Sequence, residues 1–170
     1  GNFIKHLWQR LIFNHQLMAL PSLIDAGRGD AASQFDRALA NQRPGACTHL
    51  QGDVSQPLLG LSAEQYQHLA AQVTTIFHLA ARTDFKGASV ADYQGINIDG
   101  VRHVYELAAA AGAHLHHVST AFVRGRYEGL FHEEDLDCGQ KFRNGYEESK
   151  FRGEQFLRQP LTVGDTPPLT

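Results

Sequence analysis

Segments of helical periodicity alternate with short β-branched apolar runs along this chain, and that alternation constrains its fold more than any other feature. A strand, a helix and a second strand in succession return to one sheet by a crossover, so the pattern predicts an α/β, doubly wound parallel sheet with helices packed on it. Val73 to Leu79 (VTTIFHL) is β-branched and apolar, the best buried strand of the sequence. His114 to Ser119 is the next strand, and a long helix from about Val90 to Ala111, stopped by Gly112, is expected between the two. Ser62 followed by Gln65 reads as a capping box for a helix over Ala63 to Ala71. A further helix is expected over Tyr146 to Leu157, with Asn144 as its cap.

The remaining segments read more weakly. Phe3, Leu7, Leu11 and Ile12 recur at helical spacing, Gln16 to Leu20 is a short strand candidate, and Asp30 to Leu39 is helical up to Pro44-Gly45. Thr48 to Val54 reads as a strand edge entering a loop that continues through Pro57 to Gly60, and Gly125 to Gln140 reads as a polar loop. The first strand of a doubly wound sheet lies at its centre, and no strand precedes the opening helix here. An empty lane between Gln16 to Leu20 and Val73 to Leu79 would strand buried backbone groups, so the expectation is a further parallel strand before Gly1.

Length and charge bound the function. The 170 residues suffice for one domain with a core, 42% of them are apolar, and the formal charge of −3 offers no electrostatic reason for nucleic acid or an anionic membrane as partner. Apolar runs such as Leu107 to Ala113 are too short to cross a bilayer. Lys5, His6 and Arg10 interrupt the first apolar stretch, which therefore lacks a signal-peptide pattern. Cys47 and Cys138 form no CxxC motif, which fits a reducing, cytoplasmic setting.

Tyr146-Glu147-Glu148-Ser149-Lys150 is a YxxxK spacing at a helix start. Residues four apart share a helix face, so phenol and ammonium can meet at one site. A cation stabilises a phenolate, and such a tyrosine can pass a proton to a carbonyl oxygen as hydride reaches the carbon. The spacing alone recurs on ordinary helix surfaces. Thr120 adds context, because a hydroxyl at the carboxyl end of a parallel strand faces the ligand crevice and can donate to the same oxygen. The plainer reading is that Ser119 and Thr120 satisfy backbone groups at the strand end.

HVSTAFV, then GRYEG, a loop rich in acids, and FRNGYEESKFRGEQ together resemble extended short-chain dehydrogenases/reductases, closest in look to their thioester-reductase and fatty-acyl-reductase (male-sterility-like) branch. The resemblance runs from about Leu50 to Leu157 with its motifs in order, and it implies a Rossmann fold binding NADP or NAD, with NADP slightly favoured. It implies that Asp53 and Val54 of the GD segment hold the adenine, and that His78, Ala80 and Ala81 lie along the cofactor. Asn97 in GINIDGV matches the helix asparagine that orders a water near the lysine. Thr120, Tyr146 and Lys150 match the catalytic hydroxyl, the acid, and the lysine that also holds the nicotinamide ribose. Gly1 can stand for the second glycine of the family's phosphate loop, but Ile4 falls where the third is expected, and Leu20-Pro21-Ser22 stands where a basic residue often selects NADP, with Arg28 nearest. Leu161 to Thr166 looks like a sixth strand and the VGD after it with residues lost between. This divides the chain into a Rossmann domain over 1–163, incomplete at its start, and a remnant over 164–170 leading to an absent substrate-binding part.

These readings imply an NAD(P)H-dependent reductase of a carbonyl or acyl thioester, acting on a small-molecule or carrier-bound acyl substrate, with a homodimer as one possible assembly. The rival readings are a nucleotide-sugar epimerase or dehydratase of the same fold, and a catalytically silent dinucleotide-binding scaffold. His114 and His116 share a strand face while His117 takes the other, so no closed metal site is expected. Glu133, Glu134, Asp135 and Asp137 lack the spacing of a calcium loop and read as solvated. Arg124 and Arg126 either steer a phosphopantetheine group or merely solvate their loop.

Overall fold

The computed structural model describes residues 50, 52–85, 89–159 and 167–170. Local side-chain chemistry starts α1 (Ala63–Ala70): the Ser62 hydroxyl accepts from the Gln65 amide at 3.2 Å, and the Gln65 side chain accepts from the Ser62 amide at 3.0 Å. This is the predicted capping box, and it satisfies two of the helix's orphan donors. The Val73 amide still bonds to the Leu69 carbonyl at the end of that helix, so the strand expected at 73–79 is trimmed to β1 (Thr75–His78).

β1 pairs in parallel with β2 (His114–His117), with Ile76 opposite Leu115 and His78 opposite His117. The pleat divides these residues between two faces. Ile76, His78 and Leu115 are buried on one face, where His117 joins them, while His116 stacks on Phe77 at 4.5 Å and on His114 at 4.3 Å on the other. His114 and His116 thus share a face, as the alternation predicts.

The crossover is less regular than the single helix expected from Val90. A 3-10 turn (Val90–Tyr93) leads into a π-helical turn (Gln94–Asp99) and then α2 (Gly100–Ala111). Gly112 closes α2 with φ of 60°, a left-handed cap that glycine adopts freely. Val101, Val104, Leu107 and Ala108 form the buried stripe of α2, packed with Ile76, Leu115, Val54, Leu59 and Leu69 into one core. The predicted Asn144 cap begins α3 (Gly145–Arg158), its side chain accepting from the Glu147 amide at 2.9 Å. α3 approaches the crossover through two glycines: a Cβ on Gly145 would strike the Ser89 carbonyl, and one on Gly153 would lie 2.7 Å from the Asn97 carbonyl oxygen.

One expectation changes, and one lane is filled by a segment that was not read as a strand. The described part of the strand edge expected at 48–54 is a turn: Asp53 takes the Leu59 carbonyl at 2.7 Å, and Leu58 and Leu59 have φ of 52° and 58°. The far side of β2 is paired by 168–170, with Leu169 opposite Leu115, the Leu115 amide on the Pro168 carbonyl at 2.8 Å, and the Thr170 amide on the Leu115 carbonyl at 2.9 Å. The helices expected at 3–12 and 30–39, the strand at 16–20, the segment at 161–166, Gly1 and Arg28 lie outside the described residues. Among the described residues, no helix is long and apolar enough to cross a membrane.

The loop between β2 and α3 is held against the helix it precedes. Gln140 donates to the carbonyls of Val123 and Leu136, and the Arg158 guanidinium donates to those of Glu133 and Glu134. Val123, Leu136 and Phe151 form a small second core beneath it. The acidic run is thus a pinned, solvated loop, with Asp135 and Asp137 accepting bonds from His132 and Gln155.

Candidate active site

Because β1 and β2 are parallel, the segments that follow them leave the sheet on one edge, where ligands of open α/β sheets bind. Ala80 and Ala81 follow β1 and are half-buried, as is Arg82. The Arg82 backbone is fixed by Asn97, whose Oδ1 accepts from the Arg82 amide at 2.8 Å and whose Nδ2 donates to the Arg82 carbonyl at 3.1 Å. The same Nδ2 donates to the Ser149 hydroxyl at 2.9 Å, and Ser149 donates to the Tyr146 carbonyl at 2.8 Å. Asn97 and Ser149 are almost fully buried. Asn97 sits in the π-helical turn, a distortion that recurs at functional sites. Its amide joins the segment after β1 to α3, while the Lys150 ammonium bonds elsewhere, to the Val118 carbonyl.

Lys150 is 4% exposed, and its ammonium donates to the Val118 carbonyl at 2.8 Å, one residue past β2. Burial lowers its pKa to about 8, with the Glu154 carboxylate pulling the other way. Tyr146 lies one turn earlier, 8% exposed, with its ring edge-on to Phe85 at 4.9 Å and to Tyr93 at 6.3 Å. Phe85 in turn meets Phe122 at 6.3 Å, in the short turn (Ala121–Arg124) that Thr120 begins. The Thr120 oxygen accepts from the Phe122 amide at 3.3 Å. That is the capping role foreseen as the plainer reading, and it leaves the hydroxyl proton available for donation. Lys150 thus meets the segment leading to Thr120, while Tyr146 reaches the turn after Thr120 through Phe85.

Asp53 anchors its own turn, accepting from the Ser55 amide at 2.8 Å and the Ser55 hydroxyl at 2.7 Å, both on Oδ1. Oδ2 has no bond among the described residues and remains an acceptor. Val54 is buried, its carbonyl 2.9 Å from His103 Nδ1, so it supports the turn from beneath. A carboxylate oxygen with no bond among the described residues, two alanines that allow close backbone approach and a buried ammonium are groups that could hold a dinucleotide.

His78 and His117 lie beneath Lys150, their rings 5.2 Å apart. His78 Nε2 and both ring nitrogens of His117 are buried without a partner among the described residues. Burial, and then the nearby Lys150 charge, lower the pKa of His78 to about 3; burial, Lys150 and His78 lower that of His117 to about 2. Both rings are neutral at neutral pH.

Sequence reasoning missed the roles of four members of this neighbourhood. Ser149 lies inside the YxxxK spacing and bridges two elements. Ser119 donates to Glu154 at 2.5 Å instead of to backbone, and His117 lies under the lysine. Only Glu154 carried a readable signal, standing four residues beyond Lys150 on the same helix stripe.

The male sterility protein family, an NAD-binding family, matches residues 28–167. The chain belongs to this family. A hybrid PKS-NRPS synthetase of Talaromyces variabilis is 34% identical over 94% of the chain, which spans 4% of that synthetase. A probable fatty acyl-CoA reductase of Arabidopsis thaliana is 31% identical over 65% of the chain, which spans 23% of it. Among solved structures, the terminal R domain of the myxalamid PKS-NRPS pathway superposes with a TM-score of 0.62 and 31% identity, covering 72% of this chain and 31% of that one. MoeE5, solved with UDP-glucuronic acid and NAD, shares the fold at a TM-score of 0.55 and 20% identity, covering 81% of this chain and 48% of that one. The family member described here is therefore an NAD-binding domain of Rossmann fold and extended short-chain reductase type.

Proposed function

We propose that the site reduces an acyl thioester, presented on a carrier, or the corresponding carbonyl compound, with Tyr146 as acid, Lys150 as the cation beside it and Thr120 as the second donor. One observation carries this reading: the buried Lys150 ammonium is anchored at 2.8 Å to the strand end that leads to Thr120, one helical turn from Tyr146. A bound nicotinamide supplies the hydride, and the protein's residues manage the charge that appears on oxygen. Tyr146 gives its phenolic proton to that oxygen, Lys150 stabilises the phenolate left behind, and Thr120 donates to the same oxygen. Asp53 receives the adenine end of the dinucleotide, Ala80 and Ala81 let its middle lie close to the backbone, and Lys150 holds the nicotinamide ribose. NADPH is the preferred donor in this reading. The relatives above 30% identity favour a reductase over a nucleotide-sugar epimerase, since one is named as a fatty acyl-CoA reductase and another is the terminal R domain of a PKS-NRPS pathway.

The test is NAD(P)H oxidation by the intact protein with an acyl thioester. Tyr146→Phe keeps the ring and loses the proton donor, so cofactor binding should survive while turnover falls by about 100-fold or more. Thr120→Ser should be mild and Thr120→Ala severe. Turnover at the parent rate in Tyr146→Phe rules the mechanism out.

A further inference from the structure

The stripe of α3 that carries Tyr146 and Lys150 continues to Glu154 and Arg158, and each of its charged members is engaged. Lys150 donates to the Val118 carbonyl at 2.8 Å. The next residue, Ser119, donates its hydroxyl to Glu154 Oε2 at 2.5 Å, across 35 positions of sequence. Glu154 Oε1 receives the Arg158 guanidinium at 2.6 Å. Arg158 is itself tethered to the carbonyls of Glu133 and Glu134, so it cannot follow the carboxylate freely. The Glu154 side chain is 15% exposed. An ordinary surface pair along a helix needs neither that burial nor a bond into the sheet.

We propose that Glu154 is a positioning residue for Lys150, held by Ser119 so that its carboxylate keeps the ammonium charged and ties the helix bearing Tyr146 to the strand end bearing Thr120. The inference rests on Lys150 being the cation of the site proposed above. Lys150 faces His78 from β1 and His117 from β2, and shares its helix with Tyr146 and Glu154. The turn before α2 presents the Asn97 amide there, engaged with Arg82 and Ser149. The two imidazoles are neutral at neutral pH, so neither offsets the cost of burying the ammonium. Burial drives the lysine toward its neutral form, and Glu154 is the group that opposes this. Ser119 and Arg158, one on each oxygen, hold the carboxylate in place against the strand end.

The decisive measurement is the titration of Lys150 in the intact protein, followed by NMR of ¹³Cε-labelled lysine, with Lys150→Met used to assign the signal. Glu154→Gln preserves shape and can still accept from Ser119, but removes the charge. Its Lys150 midpoint should fall by about one pH unit. Ser119→Ala keeps the charge and releases the carboxylate, and should move the midpoint the same way by less; it also serves alone if Glu154→Gln fails to fold. The high-pH limb of any thioester-reduction profile should shift with the midpoint. An unchanged midpoint in the folded variants overturns the proposal. Because the titration needs no turnover, a shifted midpoint in a protein that reduces no thioester would defeat the functional reading while leaving Glu154's role intact.

Discussion

Among the described residues, His117 places two unpartnered nitrogens in the interior, and His78 a third, close to a buried ammonium. Neither ring can take up a proton there without adding charge to a site that already holds one. Their folded-state pKa values, about 2 and about 3, lie below the ordinary value of 6.5. The unfolded chain therefore binds more protons than the native one below that ordinary value, so these groups cost nothing above it and destabilise the fold progressively as pH falls toward 3. The slope is at most about 1.4 kcal/mol per pH unit for each ring. We expect the melting temperature of the intact protein to drop between pH 7 and pH 5, and a His78→Leu/His117→Leu double variant to lose markedly less over the same interval. Equal losses in the two proteins would mean that the rings reach solvent. Alternation in the sequence assigns His117 to the face opposite His116, which the pleat obeys. It carries no information on depth, because depth depends on residues distant in the chain, such as Lys150, which lies near the ring from 33 positions away.

Features fixed by neighbouring residues were legible at the level of elements. The Ser62–Gln65 box, the Asn144 cap and the Gly112 stop are each closed by groups within a few positions, so the sequence displays them directly. The π-helical turn was not legible, because what accompanies it is distant: Asn97 reaches Arg82, 15 residues earlier, and Ser149, 52 residues later. That turn also sets how closely α3 may pack. The contact at Gly153 is against a backbone oxygen, the Asn97 carbonyl, which cannot rotate aside as a side chain would. Gly153→Ala should therefore push α3 off the crossover and destabilise the protein by about 1–3 kcal/mol. The intrinsic helix propensity of alanine would favour the substitution by up to about 1 kcal/mol, so the sign of the change in denaturation midpoint decides between packing and propensity. A midpoint at or above the parent's would show that α3 does not approach this closely.

Over the whole molecule, parallel strands send their trailing segments to one edge, and that arrangement was predictable from alternation alone because parallel strands need crossovers. What alternation could not assign was the lane beyond β2, which three short backbone bonds give to 168–170 in a stretch with no strand-like run. Asp53, Ala80 and Ala81, the segment 118–120, and Lys150 belong to four separate stretches of chain. A dinucleotide reaching from Asp53 to Lys150 must cross the ends of β1 and β2 together. Its binding energy then acts on the fold as a unit, so NADPH or NADH should raise the melting temperature of the intact protein. The gain is about 2.7 kcal/mol when the ligand stands at 100 times its Kd. Asp53→Asn keeps an oxygen for Ser55 but removes the charge, and should weaken the shift through the adenine end alone. Lys150→Ala should weaken it through the ribose end and remove turnover as well. A shift that survives both changes undiminished would place the dinucleotide elsewhere. Absence of any shift with either dinucleotide would mean that this member of the family has kept the fold and lost the ligand.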